Sequence, residues 1–236
     1  MKTNVNISSQ LVTETDNQKA VIYFFFLKSK YRTSVFYDYK PEKLAILTGV
    51  SVNTIRKYVG WLKRNGFAAI TDGHLWLRSI KKISPEKRLI RVDTKAWTSW
   101  KQFENRVYAQ IIKLDIKKQT FHYSMKRLPE NLKSKKAVTI YRKYLKTYGK
   151  DSKEKADIPM SSVRQIARLF NRSKSWAQAM LKTLERMGYI TRKQVIEKLC
   201  DGYLPPEYYS GKGYIYYNTR RNAMILHHGT LINVTY

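Results

Sequence analysis

The eight residues Ala20-Val21-Ile22-Tyr23-Phe24-Phe25-Phe26-Leu27 are apolar without a break. Wound into a helix, such a run has no polar face, so it has to be enclosed by protein on every side. It is too short for a bilayer, whose crossing takes roughly 18–20 apolar residues. The run therefore predicts a helix at the centre of a domain, spanning Asn17 to Lys30. The 43% hydrophobic and 13% aromatic content can supply the surrounding core, which excludes a fully disordered chain. The length of 236 residues suggests one or two domains, with two favoured. The polar segment Met1 to Asp16 has no signal-peptide core and reads as a flexible arm. The single cysteine, Cys200, excludes an internal disulfide and a cysteine-based zinc finger. A cytoplasmic protein is expected.

Charge sets the class of partner. Lys and Arg number 46 against 17 Asp and Glu, a net charge of +29. Residues 1–80 hold 12 basic and 5 acidic side chains, net +7; residues 81–157 hold 22 and 8, net +14; residues 158–236 hold 12 and 4, net +8. The excess is spread along the chain and is densest in the middle, at Lys81-Lys82, Lys117-Lys118 and Lys133 to Lys136. A solvated face accounts for any one run. It does not account for the sum, because self-repulsion of this size opposes compaction, and a polyanion is the expected partner. A membrane surface would want one basic helix with a broad apolar face. The helices here read instead as members of packed domains, so no membrane is expected.

Turn chemistry divides the rest. Thr33 to Tyr39 alternates and reads as a short strand. Pro41 suits the first turn of a helix running to Leu47, and Thr48-Gly49-Val50 breaks it. Ser51 can cap a helix from Val52 to Arg64, with Ile55, Val59 and Leu62 on one face. Asn65-Gly66 closes that helix, and Asp72-Gly73 joins the β runs Phe67 to Ile70 and His74 to Leu77. Lys81 to Val92 reads as strand or connector. Thr98 to Lys118 reads as a helix with Phe103, Val107, Ile111 and Leu114 on one side, and Thr120 to Met125 suits helix and strand alike. A helix opening at Ser134 carries the stripe Ala137, Ile140, Tyr141, Tyr144, Leu145 and Tyr148. Asp157 to Met160 reads as strand. Ser161 or Ser162 caps a helix with Val163, Ile166, Ala167 and Phe170 inward, and Asn171-Arg172 turns. Ser173 caps a longer helix to Met187, with Trp176, Ala177, Met180, Leu181 and Leu184 inward. Gly188 stops it. Tyr189 to Leu199, Gly213 to Asn218, Ala223 to Leu226 and Thr230 to Tyr236 read as strands.

A short helix, a tight turn, a longer helix and a β-hairpin thus occur twice. Both segments resemble winged helix-turn-helix DNA-binding domains. The first match covers Asn17 to Ile80 on the motif Leu44-Ala45-x-x-x-Gly49-x-x-x-x-x-Ile55. Ala45 is small where the second helix crosses, Gly49 permits a left-handed turn, and Val50, Ile55 and Leu62 lock the helices together. The second covers roughly Lys133 to Tyr236. There Ala167 takes the small position, and Asn171 stands where glycine stood and tolerates the same backbone. The loop Cys200 to Lys212 is long for a wing. The resemblance implies a mainly α protein with small β-hairpins (α+β), built as two winged helix-turn-helix domains in tandem. Its parts are an arm at 1–16, a first domain at 17–80, a basic linker at 81–97 and a second domain at 98–236.

The resemblance also implies where DNA would lie. The second helix of each motif enters the major groove, where base edges carry a distinguishable code. Its exposed N-terminal part is Ser51, Asn53, Thr54, Arg56 and Lys57 in the first domain, and Ser173, Lys174, Ser175 and Gln178 in the second. Asn53 and Gln178 could pair with adenine, and Arg56 with guanine. Lys63, Arg64, Lys182 and Arg186 lie further along and suit phosphates. Arg78, Lys81, Lys82, Arg192 and Lys193 lie in or beside the wings and suit the backbone or the minor groove.

Nothing comparable points to catalysis. His74, His122, His227 and His228 are scattered, with no HExxH or His-x-His pattern. Tyr141 and Tyr144 resemble the paired nucleophiles of replication nickases, but the histidine metal site of those enzymes is missing and the tyrosines lie on an apolar stripe. Gly211-Lys212-Gly213 lacks the spacing of a phosphate loop. Eighteen tyrosines could stack on single-stranded bases, though most fall on inward positions. The expectation is a sequence-selective binder of double-stranded DNA, without enzyme activity, metal or cofactor. A transcription regulator of a phage or mobile element is favoured, working in the nucleoid alongside host or phage transcription or replication proteins. A replication initiator and a non-specific nucleoid binder are the alternatives.

Overall fold

The computed structural model describes residues 4–31, 33–83, 89–93, 99–126, 162–198, 214–218 and 223–235. The expected helix from Ser134, the strand at Asp157 to Met160, the Ser161 cap, Tyr141, Tyr144, Cys200 and the loop to Lys212 lie outside them. The architecture is mainly helical with small antiparallel sheets, an α+β fold. The chain divides into two compact units, Met1–Ile111 with Ala167–Leu184, and Ile112–Ile166 with Glu185–Tyr236.

The first unit is organised round α2 (Gln18–Tyr31). Every residue from Ala20 to Leu27 is fully buried, as the absence of a polar face requires. The aromatic rings meet partners in several directions. Tyr23 packs on Tyr58 of α4 (Val52–Arg64), with ring centroids 5.4 Å apart. Phe24 meets Phe67 edge-on at 5.6 Å. Phe26 meets Trp100 and Phe103 of α6 (Trp100–Lys126), both at 5.5 Å. The Tyr23 hydroxyl donates to Thr48 Oγ1 at 3.3 Å, and Thr48 Oγ1 donates to the Leu44 carbonyl at 2.7 Å, which ties α2 to the end of α3 (Pro41–Thr48). Burial pushes the Tyr23 hydroxyl well above its ordinary pKa.

Residues expected to form a flexible arm are ordered. They make β1 (Asn4–Ser8) and α1 (Ser9–Glu14), with Ile7 and Val12 fully buried. β1 pairs antiparallel with β5 (Leu89–Asp93), which settles the strand-or-connector choice for that part of the chain. Polarity misled here because the segment is polar over most of its length although Ile7 and Val12 reach the core. The expected strand at Thr33 to Tyr39 shrinks to β2 (Val35–Phe36), since Asp38 turns into a left-handed backbone with φ 46°. β2 lies in a three-stranded sheet, order β2-β4-β3, with β3 (Ala68–Thr71) and β4 (His74–Leu77). Asp72 and Gly73 both have positive φ, 52° and 72°, as a tight hairpin turn needs. A short helix, α5 (Ile80–Ile83), follows. α6 runs on through Thr120 to Met125 as helix. Phe103, Val107 and Ile111 are buried as expected, but Leu114 is exposed.

In the second motif, Ser162 and Gln165 form a reciprocal cap on α7 (Val163–Leu169): Gln165 N–H donates to Ser162 Oγ at 3.1 Å, and Ser162 N–H to Gln165 Oε1 at 2.7 Å. α8 (Lys174–Arg186) follows the turn at Asn171. The second unit carries a sheet of order β6-β8-β7, formed by β6 (Ile190–Lys198), β7 (Tyr214–Asn218) and β8 (Ala223–Val234). The two strands expected at Ala223 to Leu226 and Thr230 to Tyr236 are one. A bulge absorbs the interruption: Val195 faces Gly229, Ile196 faces His227, and His228 is the extra residue.

Because α2 is enclosed on all sides, truncating it leaves a hole that no surface rearrangement can fill. Phe24→Ala is expected to lower unfolding stability by about 3–5 kcal/mol in a denaturant titration. A loss below about 1 kcal/mol would mean that the helix is not a central core element.

Candidate functional site

α4 and α8 have the same local construction. Gly49 closes α3 in the left-handed region (φ 69°), and its N–H donates to the Ala45 carbonyl at 2.8 Å. Asn171 repeats the device after α7, with φ 49° and its N–H on the Arg168 carbonyl at 3.1 Å. Ser51 Oγ accepts from Thr54 N–H at 3.3 Å, and Ser173 Oγ accepts from Trp176 N–H at 3.2 Å, so each serine caps its helix. The inward faces are Ile55, Val59, Trp61 and Leu62 in α4, and Ala177, Met180, Leu181 and Leu184 in α8.

Both turns are anchored within the first unit. Gln18 Nε2 donates to the Phe170 carbonyl, and Arg172 donates to the Asp16 carbonyl at 2.6 Å. Tyr108 of α6 packs edge-on against Phe170 at 5.4 Å and Trp176 at 5.7 Å. These contacts join residues more than 60 positions apart, and nothing local in the sequence announces them.

The outer faces differ in what they leave open. On α4, Ser51, Asn53, Arg56, Lys57, Lys63 and Arg64 are exposed, and Thr54 is half-buried. Thr54 Oγ1 lies 2.8 Å from Ser51 Oγ, so both hydroxyls serve the cap. Arg56 Nη2 donates to Glu42 Oε1 at 2.7 Å. An exposed pair of this kind is worth only about 0–1 kcal/mol, so a phosphate or base edge can displace it. Asn53 and Lys57 have no intramolecular polar partner among the described residues. On α8, Lys174, Ser175, Gln178, Lys182 and Arg186 are exposed, as is Ser173 before it. Ser173 and Ser175 hydroxyls bond each other at 3.0 Å.

The residues beside the hairpins divide further. Arg192 donates to Glu185 Oε2 through Nε at 2.9 Å and through Nη2 as well. That bond holds the Glu185 carboxyl below its ordinary value. Of the two residues expected at the DNA backbone or minor groove beside this sheet, Arg192 pairs with Glu185 and Lys193 is exposed. Arg78 and Lys82 are exposed, and the Lys81 side chain lies outside the described residues. Arg78 and Lys82 line a cleft of about 330 Å³ with Gly66, Ala68, Ala69 and Trp76. Trp76 is 45% exposed. Alternation in His74-Leu75-Trp76-Leu77 was the available signal for this, because it puts Trp76 opposite the two buried leucines.

The hairpin tip is held. Asp38 N–H donates to His74 Nδ1 at 3.1 Å, Tyr39 N–H donates to the Gly73 carbonyl at 2.7 Å, and the Tyr37 ring meets His74 edge-on at 5.1 Å. Among the described residues no group of His, Cys, Asp and Glu is placed to hold a metal ion. No described helix is long and apolar enough to cross a membrane. Comparison with known proteins brings no match, whether to family models, curated proteins or solved structures.

Since the folded Glu185 carboxyl is held low, its pairing with Arg192 stabilises the fold above the ordinary glutamate range. That contribution is lost as pH falls through the lowered folded value. Glu185→Gln is expected to flatten this part of the acid limb in a stability–pH profile. An unchanged limb would show that the pair does not persist in solution.

Proposed function

We propose that this chain binds double-stranded DNA in a sequence-selective way, through two helix-turn-helix motifs organised as tandem winged helices. The carrying observation is the shared construction of α4 and α8: a left-handed turn before each, a serine cap, an apolar inner face and an outer face of amide and cationic side chains. The sheet β2-β4-β3 takes the place of the first wing. A net charge of +29 supplies the attraction to phosphate. In this reading Asn53, Lys57 and Gln178 face base edges, Arg56 joins them by leaving Glu42, and Lys63, Arg64, Lys174, Lys182 and Arg186 meet phosphates. The chain acts without a catalytic step or cofactor, in the nucleoid, as a transcription regulator of a phage or mobile element. A replication initiator is the second reading, favoured by the exposed aromatic beside the first hairpin.

Both turns and most of α8 belong to one compact unit with α4. The two reading helices are then held at one separation and not on a loose tether. Selection from random duplex DNA should return two sequence blocks at a single spacing. Inserting about half a helical turn, roughly 5 base pairs, between them should weaken binding at least about tenfold. Tolerance of any spacing would overturn the single reading body. Between 50 and 200 mM salt, affinity should fall by roughly a thousandfold or more if 6–10 phosphates are contacted. A flat salt titration would sink the mechanism.

Glu42 provides a sharper test. Glu42→Ala releases Arg56 and removes a negative charge, so it should tighten binding to the selected duplex. Asn53→Ala should cost about 1–3 kcal/mol and relax selectivity at one base pair. A uniform loss on all sequences would instead assign Asn53 to the backbone.

A further inference from the structure

Trp76 sits in the middle strand of the β2-β4-β3 sheet, on the face opposite buried Leu75 and Leu77. Its cross-strand neighbours are Val35 and Ala69. Neither residue is large enough to cover an indole, and Trp76 is 45% exposed. Gly66 and Ala68 keep the adjoining floor low. Gly66 adopts φ +72°, and a Cβ there would stand 3.6 Å from Arg78 Nη1. The backbone under the cleft is fixed: Arg78 N–H donates to the Phe67 carbonyl at 2.9 Å and Leu77 N–H to the Ser34 carbonyl at 2.7 Å. Among the described residues, the cations Arg78 and Lys82 border the cleft and no carboxylate lines it.

An open aromatic face beside two cations in a shallow cleft suits a flat ring that carries an anionic tail. An intact duplex does not offer one, because its bases are stacked on each other. We propose that this cleft binds an unpaired nucleobase of locally opened DNA, with Trp76 stacking on the base and Arg78 and Lys82 holding the flanking phosphate. The inference rests on the DNA-binding reading above and adds a second mode to it: α4 and α8 hold paired sequence while the hairpin keeps a strand open. An acidic peptide would use the same cations but would gain less from a single indole face.

The test uses the full chain and two DNAs of the same selected sequence. One is fully paired. The other carries a short unpaired bubble with 2-aminopurine, whose fluorescence is quenched on stacking. The intact protein should prefer the bubble by at least about fivefold and quench the probe. Trp76→Ala should remove both effects and leave affinity for the paired duplex within about twofold. Trp76→Phe, which keeps a ring, should retain part of the preference. Equal binding of the two DNAs by the intact protein, or a preference that survives Trp76→Ala, overturns the cleft while leaving duplex binding in place. No binding to either DNA at low salt overturns both.

Discussion

The complete burial of Ala20 to Leu27 in α2 is the constraint on which the first unit depends. A helix with no polar face cannot lie at a surface, so whatever encloses it takes its position from it. α4 reaches it through Tyr58, α6 through Trp100 and Phe103, and the segment after α4 through Phe67. The polar bonds at its margins are equally specific. Tyr23 fixes Thr48 one residue before the Gly49 turn, and Gln18 fixes Phe170 one residue before the Asn171 turn. One apolar helix thereby locates both turns that aim a candidate reading helix. The fold at the site is a consequence of core packing, and the exposed residues on α4 and α8 inherit their placement from side chains they never touch.

Local chemistry was legible in the sequence wherever one residue type answers one backbone demand. Gly49, Asn171, Asp72-Gly73 and Gly188 all adopt the positive φ their identities suggested. Ser51 and Ser173 cap as expected, because a short hydroxyl ahead of an apolar-periodic run has few other uses. What escaped was non-local. The pairing of β1 with β5 joins segments about 85 residues apart, and nothing in either strand's own sequence names its partner. The hold of Glu42 on Arg56 crosses from α3 to α4, and no spacing rule within one helix could reveal it. The extension of α6 through Thr120 to Met125 was undecidable locally, since an alternating segment of six residues fits either period.

Charge was legible in amount but not in availability. The count of cations says nothing about which are already matched. Arg192 is closed off by Glu185, and Lys101 and Lys19 sit 3.0 and 3.7 Å from buried Glu104. Glu104 is buried, while both lysines are exposed. Lys57, Lys63, Arg64, Lys174, Lys182 and Arg186 remain exposed. One paired cation, Arg56, lies on the outer face of α4 itself, and open cations also occur away from α4 and α8, at Lys43, Arg78, Lys82 and Lys193.

Arg56 and Trp76 show why an interface has to be read at the level of single partners. Arg56 is restrained by an exposed pair with Glu42, and such a pair is weak enough to exchange. The strand of Trp76 is fixed by two backbone bonds and the ring's neighbours are too small to cover it, so its exposure cannot be relieved by rotating a side chain into the core. An exposed indole on a rigid sheet beside two cations is the observation on which the proposed base-binding cleft rests.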